Sequence, residues 1–179
     1  MCRLGLAIIL CSVICLSLPP PATAQPDSAE HQQKQQQTAL LLAQYEIEAK
    51  RLTSTLDSID RTYINQHAVN LMQFAESILD WARIRLPQCD AYLQKSLEVK
   101  TVLKQISREE MEKNYHHDGN LPKAPPECYH IKDLLIHPAS VLLLTRDDPE
   151  LQQPTRNAIN AEIAEVLGHI GAVYQLVIY

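Results

Sequence analysis

Between Ser28 and Leu86 the chain contains neither a proline nor a glycine, the two residues that most readily break a helix. Within this run Tyr45, Ala49, Leu52, Leu56, Ile59 and Tyr63 recur at alternating steps of four and three. A second ladder, Ile64, Ala68, Leu71, Ala75, Ile78 and Ala82, repeats the rhythm displaced by one residue. Such spacing puts each set on one helical face, which must be buried against other elements. The pattern predicts either one very long helix or two helices broken near Thr53–Thr62, where Ser, Thr and Asp collect.

Ahead of that run, residues 1–24 read as a secretory signal. Arg3 supplies a positive start, Leu4 to Leu18 are almost uninterruptedly apolar, and Ala22-Thr23-Ala24 offers a small-x-small cleavage site. The apolar segment is about 15 residues, short of the roughly 20 a bilayer span requires, so cleavage is expected over retention as an anchor. Leu10 and Ile14, which precede Cys11 and Cys15, rule out a lipoprotein signal. The expected location is periplasmic or extracellular, with no stable membrane span after cleavage.

Residues 25–37, rich in Gln, read as a frayed helix start or a disordered tail, and residues 38–179 as a single domain. Cys89 and Cys128 are the cysteines left after cleavage, and in an oxidising compartment they are expected to pair. The bridge would close about 40 residues and contribute roughly 3–4 kcal/mol.

Downstream, Gln88 to Ile106 carries a further helical pattern, with Cys89, Leu93, Ser96 and Leu103 on one face. Ser107-Arg108-Glu109-Glu110 has the form of a capping box, which would start a new helix; a straight continuation is the alternative. His116 to Glu127, with Gly119, Pro122, Pro125 and Pro126, is a loop. A short helix from Cys128 is expected to end at His137-Pro138, and another to run from Ala139 to Thr145. Asp148-Pro149 suggests a further turn ended by Pro154, before a last helix from Thr155 to Val177. No stretch alternates like a strand. The expected fold is all-α: a bundle of four to five helices with a long N-terminal helical region.

The net charge of −5 comes from interleaved acids and bases, so no basic stripe for nucleic acid is present. There is no G-x-S-x-G, and four glycines in the whole chain leave no phosphate-cradling loop. Catalysis is not expected, and no catalytic residue or obligatory cofactor is assigned. Trp81, beside Arg83 and Arg85, reads as a core-edge residue at a basic helix end rather than a binding hot spot.

The histidines hold the remaining chemistry. His116, His117 and Asp118 stand at the loop entrance, and His130 lies on the helix that follows, so a transition-metal site from these four residues is conceivable, with His137 as an additional candidate. The chain has no H-E-x-x-H motif, a lone Glu-x-x-His at Glu127–His130, and, on this reading, no ligand pair at i, i+4. The leading functional expectation is therefore an exported bundle that binds a protein partner as an accessory, adaptor or inhibitor, using surplus apolar helix surface. The alternative is a metal- or small-ligand-binding bundle built on His116, His117, Asp118 and His130.

Overall fold

The computed structural model describes residues 26–58 and 60–179. The expected signal segment 1–24 and Ile59 of the first ladder lie outside the described residues. The protein is an all-α helical bundle, and the described residues contain no strand.

Four long helices make its frame: α1 (Pro26–Thr55), α2 (Arg61–Arg85), α6 (Glu127–Asp147) and α7 (Gln153–Val177). Helix α6 packs between α2 and α7, and α1 closes the ring against both of those. Three short helices, α3 (Asp90–Leu97), α4 (Val99–Val102) and α5 (Arg108–Met111), lie between α2 and α6 and raise the count above the expected four to five. The polar stretch 26–37 is the first part of α1.

The proline-free run is two helices. Near its end, the hydroxyls of Thr53, Ser54, Thr55 and Ser58 donate to backbone carbonyls three or four residues back, which competes with continuing the helix. Asp60 then caps α2, its carboxylate accepting from the amides of Thr62 (2.8 Å) and Tyr63 (3.2 Å). This restart explains the one-residue offset between the ladders. Tyr45, Ala49 and Leu52 are buried on the first helix and Leu56 just past its end, and Ile64, Ala68, Leu71, Ala75, Ile78 and Ala82 are buried on the second. Tyr63 falls in the first turn of α2 and is exposed, contrary to its place in the ladder.

The expectation that His137-Pro138 ends a helix is also corrected. Helix α6 runs through Pro138, and both residues are buried. A proline in a helix interior leaves the carbonyl four residues earlier without its amide donor. That carbonyl belongs to Leu134, and the buried Tyr45 hydroxyl donates to it at 2.8 Å. A side chain from α1 thus replaces the missing bond, and the helix continues. Pro154, expected to end a turn, instead sits in the first turn of α7, where its absent N–H is harmless. Asp148 ends α6 and opens the expected further turn, its carbonyl accepting from the Leu151 amide at 3.2 Å, while its carboxylate accepts from the Gln152 amide and the Thr155 hydroxyl, leading into α7.

Ser107 forms the capping box with Glu110, so the chain turns there into α5 rather than running straight. Cys89 and Cys128 are joined, with Cα atoms 5.5 Å apart, fastening the approach to α3 onto the first turn of α6. Trp81 is buried and donates to the Val177 carbonyl at 3.0 Å, as a core-edge tryptophan should.

Candidate metal centre

The interior of α6 is polar where a bundle core is normally apolar. Lys132, Asp133 and His137 are all fully buried, and only paired or coordinated charges are tolerated there. Lys132 Nζ donates to the carbonyls of Tyr115 (2.9 Å) and His116 (2.8 Å) and to Asp118 Oδ1 (2.9 Å). An ammonium has three N–H groups, and these partners use them all. Asp133 Oδ1 lies 3.2 Å from the same nitrogen, within its field but without a hydrogen bond from it.

Local backbone form makes this possible. Residues Glu112–His116 form one wide π-helical turn, a geometry that recurs at functional sites. The chain then passes through Asp118, whose φ of 60° is in the left-handed region. The next residue must be small, because a Cβ on Gly119 would lie 2.5 Å from the Lys113 carbonyl oxygen. This tight reversal aims the Asp118 carboxylate at Lys132 and at the Tyr92 hydroxyl, which donates to it at 2.7 Å.

Around Asp133 stand three imidazoles, each held on one nitrogen and open on the other. His137 Nδ1 meets Glu162 at 2.8 Å, His116 Nδ1 meets Glu112 at 3.2 Å, and His169 Nδ1 meets His130 Nδ1 at 2.7 Å. The Nε2 atoms of His116, His137 and His169 and both oxygens of Asp133 are buried without a hydrogen-bond partner. Five such atoms at one place are unusual, since buried polar groups are nearly always satisfied. They also converge. His169 Nε2 is 3.4 Å and His137 Nε2 4.0 Å from Asp133 Oδ2. Ligand atoms of His116, Asp133 and His137 lie within 4.8 Å of one another, as do those of His137, Glu165 and His169. A tetrahedron with bonds of about 2.0–2.1 Å has edges of about 3.3–3.4 Å, so either triad would have to contract to close on a cation, and His137 is common to both.

The electrostatics agree. Burial lowers the basicity of His169; the Asp133 carboxylate opposes this, and His130 and His137 add to it, with the net direction downward. A neutral imidazole is the form that ligates. Burial above all, with the Asp133 carboxylate adding to it, pushes the Tyr45 and Tyr129 hydroxyls up, so both stay protonated beside the cluster.

Of the four residues singled out from sequence, His116 belongs to this cluster. His117 is exposed and faces Glu112; Asp118 is engaged by Lys132 and Tyr92; His130 stands behind His169. Sequence reasoning passed over Asp133, Glu165 and His169 as ligands and Glu112 and Glu162 as supports. A signal was present. Glu112–His116, Asp133–His137 and Glu165–His169 are three carboxylate–histidine pairs at i, i+4, so the reading that no such ligand pair exists is corrected.

A cleft of about 350 Å³ walled by Arg108, Glu109, Glu112, Ser140 and Glu162, among others, reaches the carboxylates that support His116 and His137. His137 and Asp133 themselves are sealed from solvent. The surface thus communicates with the outer layer of the cluster rather than with its open nitrogens. No protein-family model, curated protein or solved structure matches this chain.

Proposed function

We propose that this protein is an exported metal-binding helical bundle that holds one transition-metal cation through His116, Asp133, His137 and His169. The observation that carries this reading is that three imidazole Nε2 atoms and the Asp133 carboxylate are buried without a hydrogen bond, with His137 and His169 Nε2 at 4.0 and 3.4 Å from Asp133 Oδ2 and His116 in one triad with Asp133 and His137; the Lys132 ammonium balances only part of the charge of Asp133 and Asp118. Each imidazole has its second nitrogen fixed by a neighbour, the arrangement that orients metal-ligating histidines. With His169 bound through Nε2, its Nδ1 donates to His130, which sets the His130 tautomer as well. Three nitrogens and one oxygen, with no thiolate because both described cysteines are bridged, favour Zn²⁺ or Cu²⁺ over Cu⁺, Ca²⁺ or Mg²⁺. A cation sealed from substrates suits sequestration or delivery better than turnover, so the protein is proposed as a binder and not an enzyme. The apolar N-terminal segment and the Cys89–Cys128 bridge support an exported, oxidising location.

Competitive titration of the untagged chain with Zn²⁺ against a chromophoric chelator tests this. One equivalent should bind with submicromolar affinity, and His137→Ala and Asp133→Asn should each abolish that binding while His67→Ala, in a separate Glu48 cluster, leaves it intact. Failure of the unaltered chain to compete for zinc or copper would overturn the reading.

Partner binding is a second reading. It does not rest on the two ladders, whose members are buried within the bundle apart from Tyr63 and the undescribed Ile59. Its support is Leu40 and Ile47, two turns apart on α1 and both largely exposed. Reproducible co-purification of one protein, lost in Leu40→Ser/Ile47→Ser, would favour it.

A further inference from the structure

The ring of His116 has two faces of different character. Its Nε2 is buried without a hydrogen bond and its ring lies 5.0 Å from that of His137, centroid to centroid, with a ligand nitrogen in one triad with Asp133 and His137, while its Nδ1 approaches Glu112 Oε1 at 3.2 Å on the outside. The same Glu112 oxygen lies 2.9 Å from His117 Nε2. Glu112, His116 and His117 therefore form a second ligand triad, and its outer members are open to solvent: the His117 side chain is 69% exposed and that of Glu112 53%, against 14% for His116. The π-helical turn is what places residues 116 and 117 beside Glu112 together.

We infer that Glu112 and His117 are a capture site, from which a divalent cation passes across the His116 ring into the buried centre. This deepens the proposed function and rests on it. Two exposed ligands hold a cation weakly and exchange it quickly. The inner site, sealed at Asp133 and His137, can be reached only after water is shed from the cation. A carboxylate and an imidazole at the mouth replace some of that water before entry and raise the local cation concentration. Glu109 and Glu162, in the adjoining cleft, extend the negative approach. Because a faster path must work in both directions, it speeds uptake and release alike and leaves the equilibrium affinity unchanged.

Stopped-flow Zn²⁺ uptake by the metal-free full chain, and release to excess chelator, give both rates for the unaltered chain, His117→Ala and His117→Asp. His117→Ala should slow uptake and release by the same factor, roughly tenfold, with stoichiometry and Kd unchanged. His117→Asp, which restores a ligand, should recover both rates. Unchanged rates in His117→Ala would overturn the capture site while leaving the buried centre intact. So would a weaker Kd arising from faster release alone, which would make His117 a ligand of the final site. Absence of zinc binding by the unaltered chain would instead remove the buried centre, and the capture site with it.

Discussion

Replacing Tyr45 by Phe removes one oxygen and leaves the ring that fills the core between α1 and α6. The Tyr45 hydroxyl donates at 2.8 Å to the Leu134 carbonyl, the acceptor that Pro138 cannot serve. Leu134 and Tyr45 are both fully buried, so water cannot replace the bond without opening the bundle. An orphaned buried acceptor costs about 1–3 kcal/mol, and about 2 kcal/mol is expected here. For a domain of this size that lowers Tm by roughly 4–8 °C. The decisive comparison is the same substitution in Pro138→Ala, where residue 138 regains an N–H for Leu134. There Tyr45→Phe should cost under about 0.5 kcal/mol, because no acceptor is stranded. Urea denaturation of the four proteins, with unchanged slopes, would then show a coupling of about 1.5 kcal/mol. An equal loss in both backgrounds would refute the argument and leave the continuity of α6 through Pro138 unexplained.

Removing the bridge with Cys89→Ala/Cys128→Ala releases a constraint of sequence separation 39, worth about 4 kcal/mol in chain entropy. Thermal melts should fall by roughly 8–16 °C; a shift below about 2 °C would contradict it. Glu162→Ala frees the His137 ring from its 2.8 Å partner, and chelator competition should show zinc affinity weakened roughly 10–100-fold. Unaltered affinity would mean that Glu162 does not orient the ring. For Glu48, burial raises the carboxyl, but hydrogen bonds from Asn70 and His67 and the charges of His67 and Arg51 outweigh it and leave it below its ordinary 4.5. A folded-state pKa lower than the unfolded one gives stability that is fully present above the unfolded value and is lost as pH falls through the folded one. The advantage of the unaltered chain over Glu48→Gln in denaturant should therefore hold at neutral pH and shrink below about pH 4.5. An advantage independent of pH would contradict the assignment.

The apolar periodicity carried most of the fold because burial acts residue by residue along a helix. The ladders from Tyr45 to Leu56 and from Ile64 to Ala82 line the core as spaced, and the Ser107 box begins a helix as its residues suggest. What local rules misjudged was settled by distant partners. Pro138 is tolerated because Tyr45, far away in sequence, serves Leu134. Tyr63 has ladder spacing but stands at a helix start, beyond the stripe that packs. The candidate site was legible in part. The i, i+4 pairs were there to be read, whereas the joining of His116, from the π-helical turn, with residues of α6 and α7 depends on tertiary packing. Adjacent histidines in a polar stretch drew attention to His117 and Asp118, yet the buried ligands lie inside apolar helices, where Lys132 and Asp133 were indistinguishable by periodicity from surface charges.

The most direct test of a buried three-histidine, one-aspartate centre is zinc-edge X-ray absorption of the chain loaded with one equivalent of Zn²⁺. The loaded centre should show a four-atom shell of nitrogen and oxygen at about 2.0–2.2 Å with imidazole back-scattering and no sulfur. That shell should collapse in His137→Ala and in His169→Ala. A shell dominated by water oxygens, or one unchanged in both variants, would contradict it.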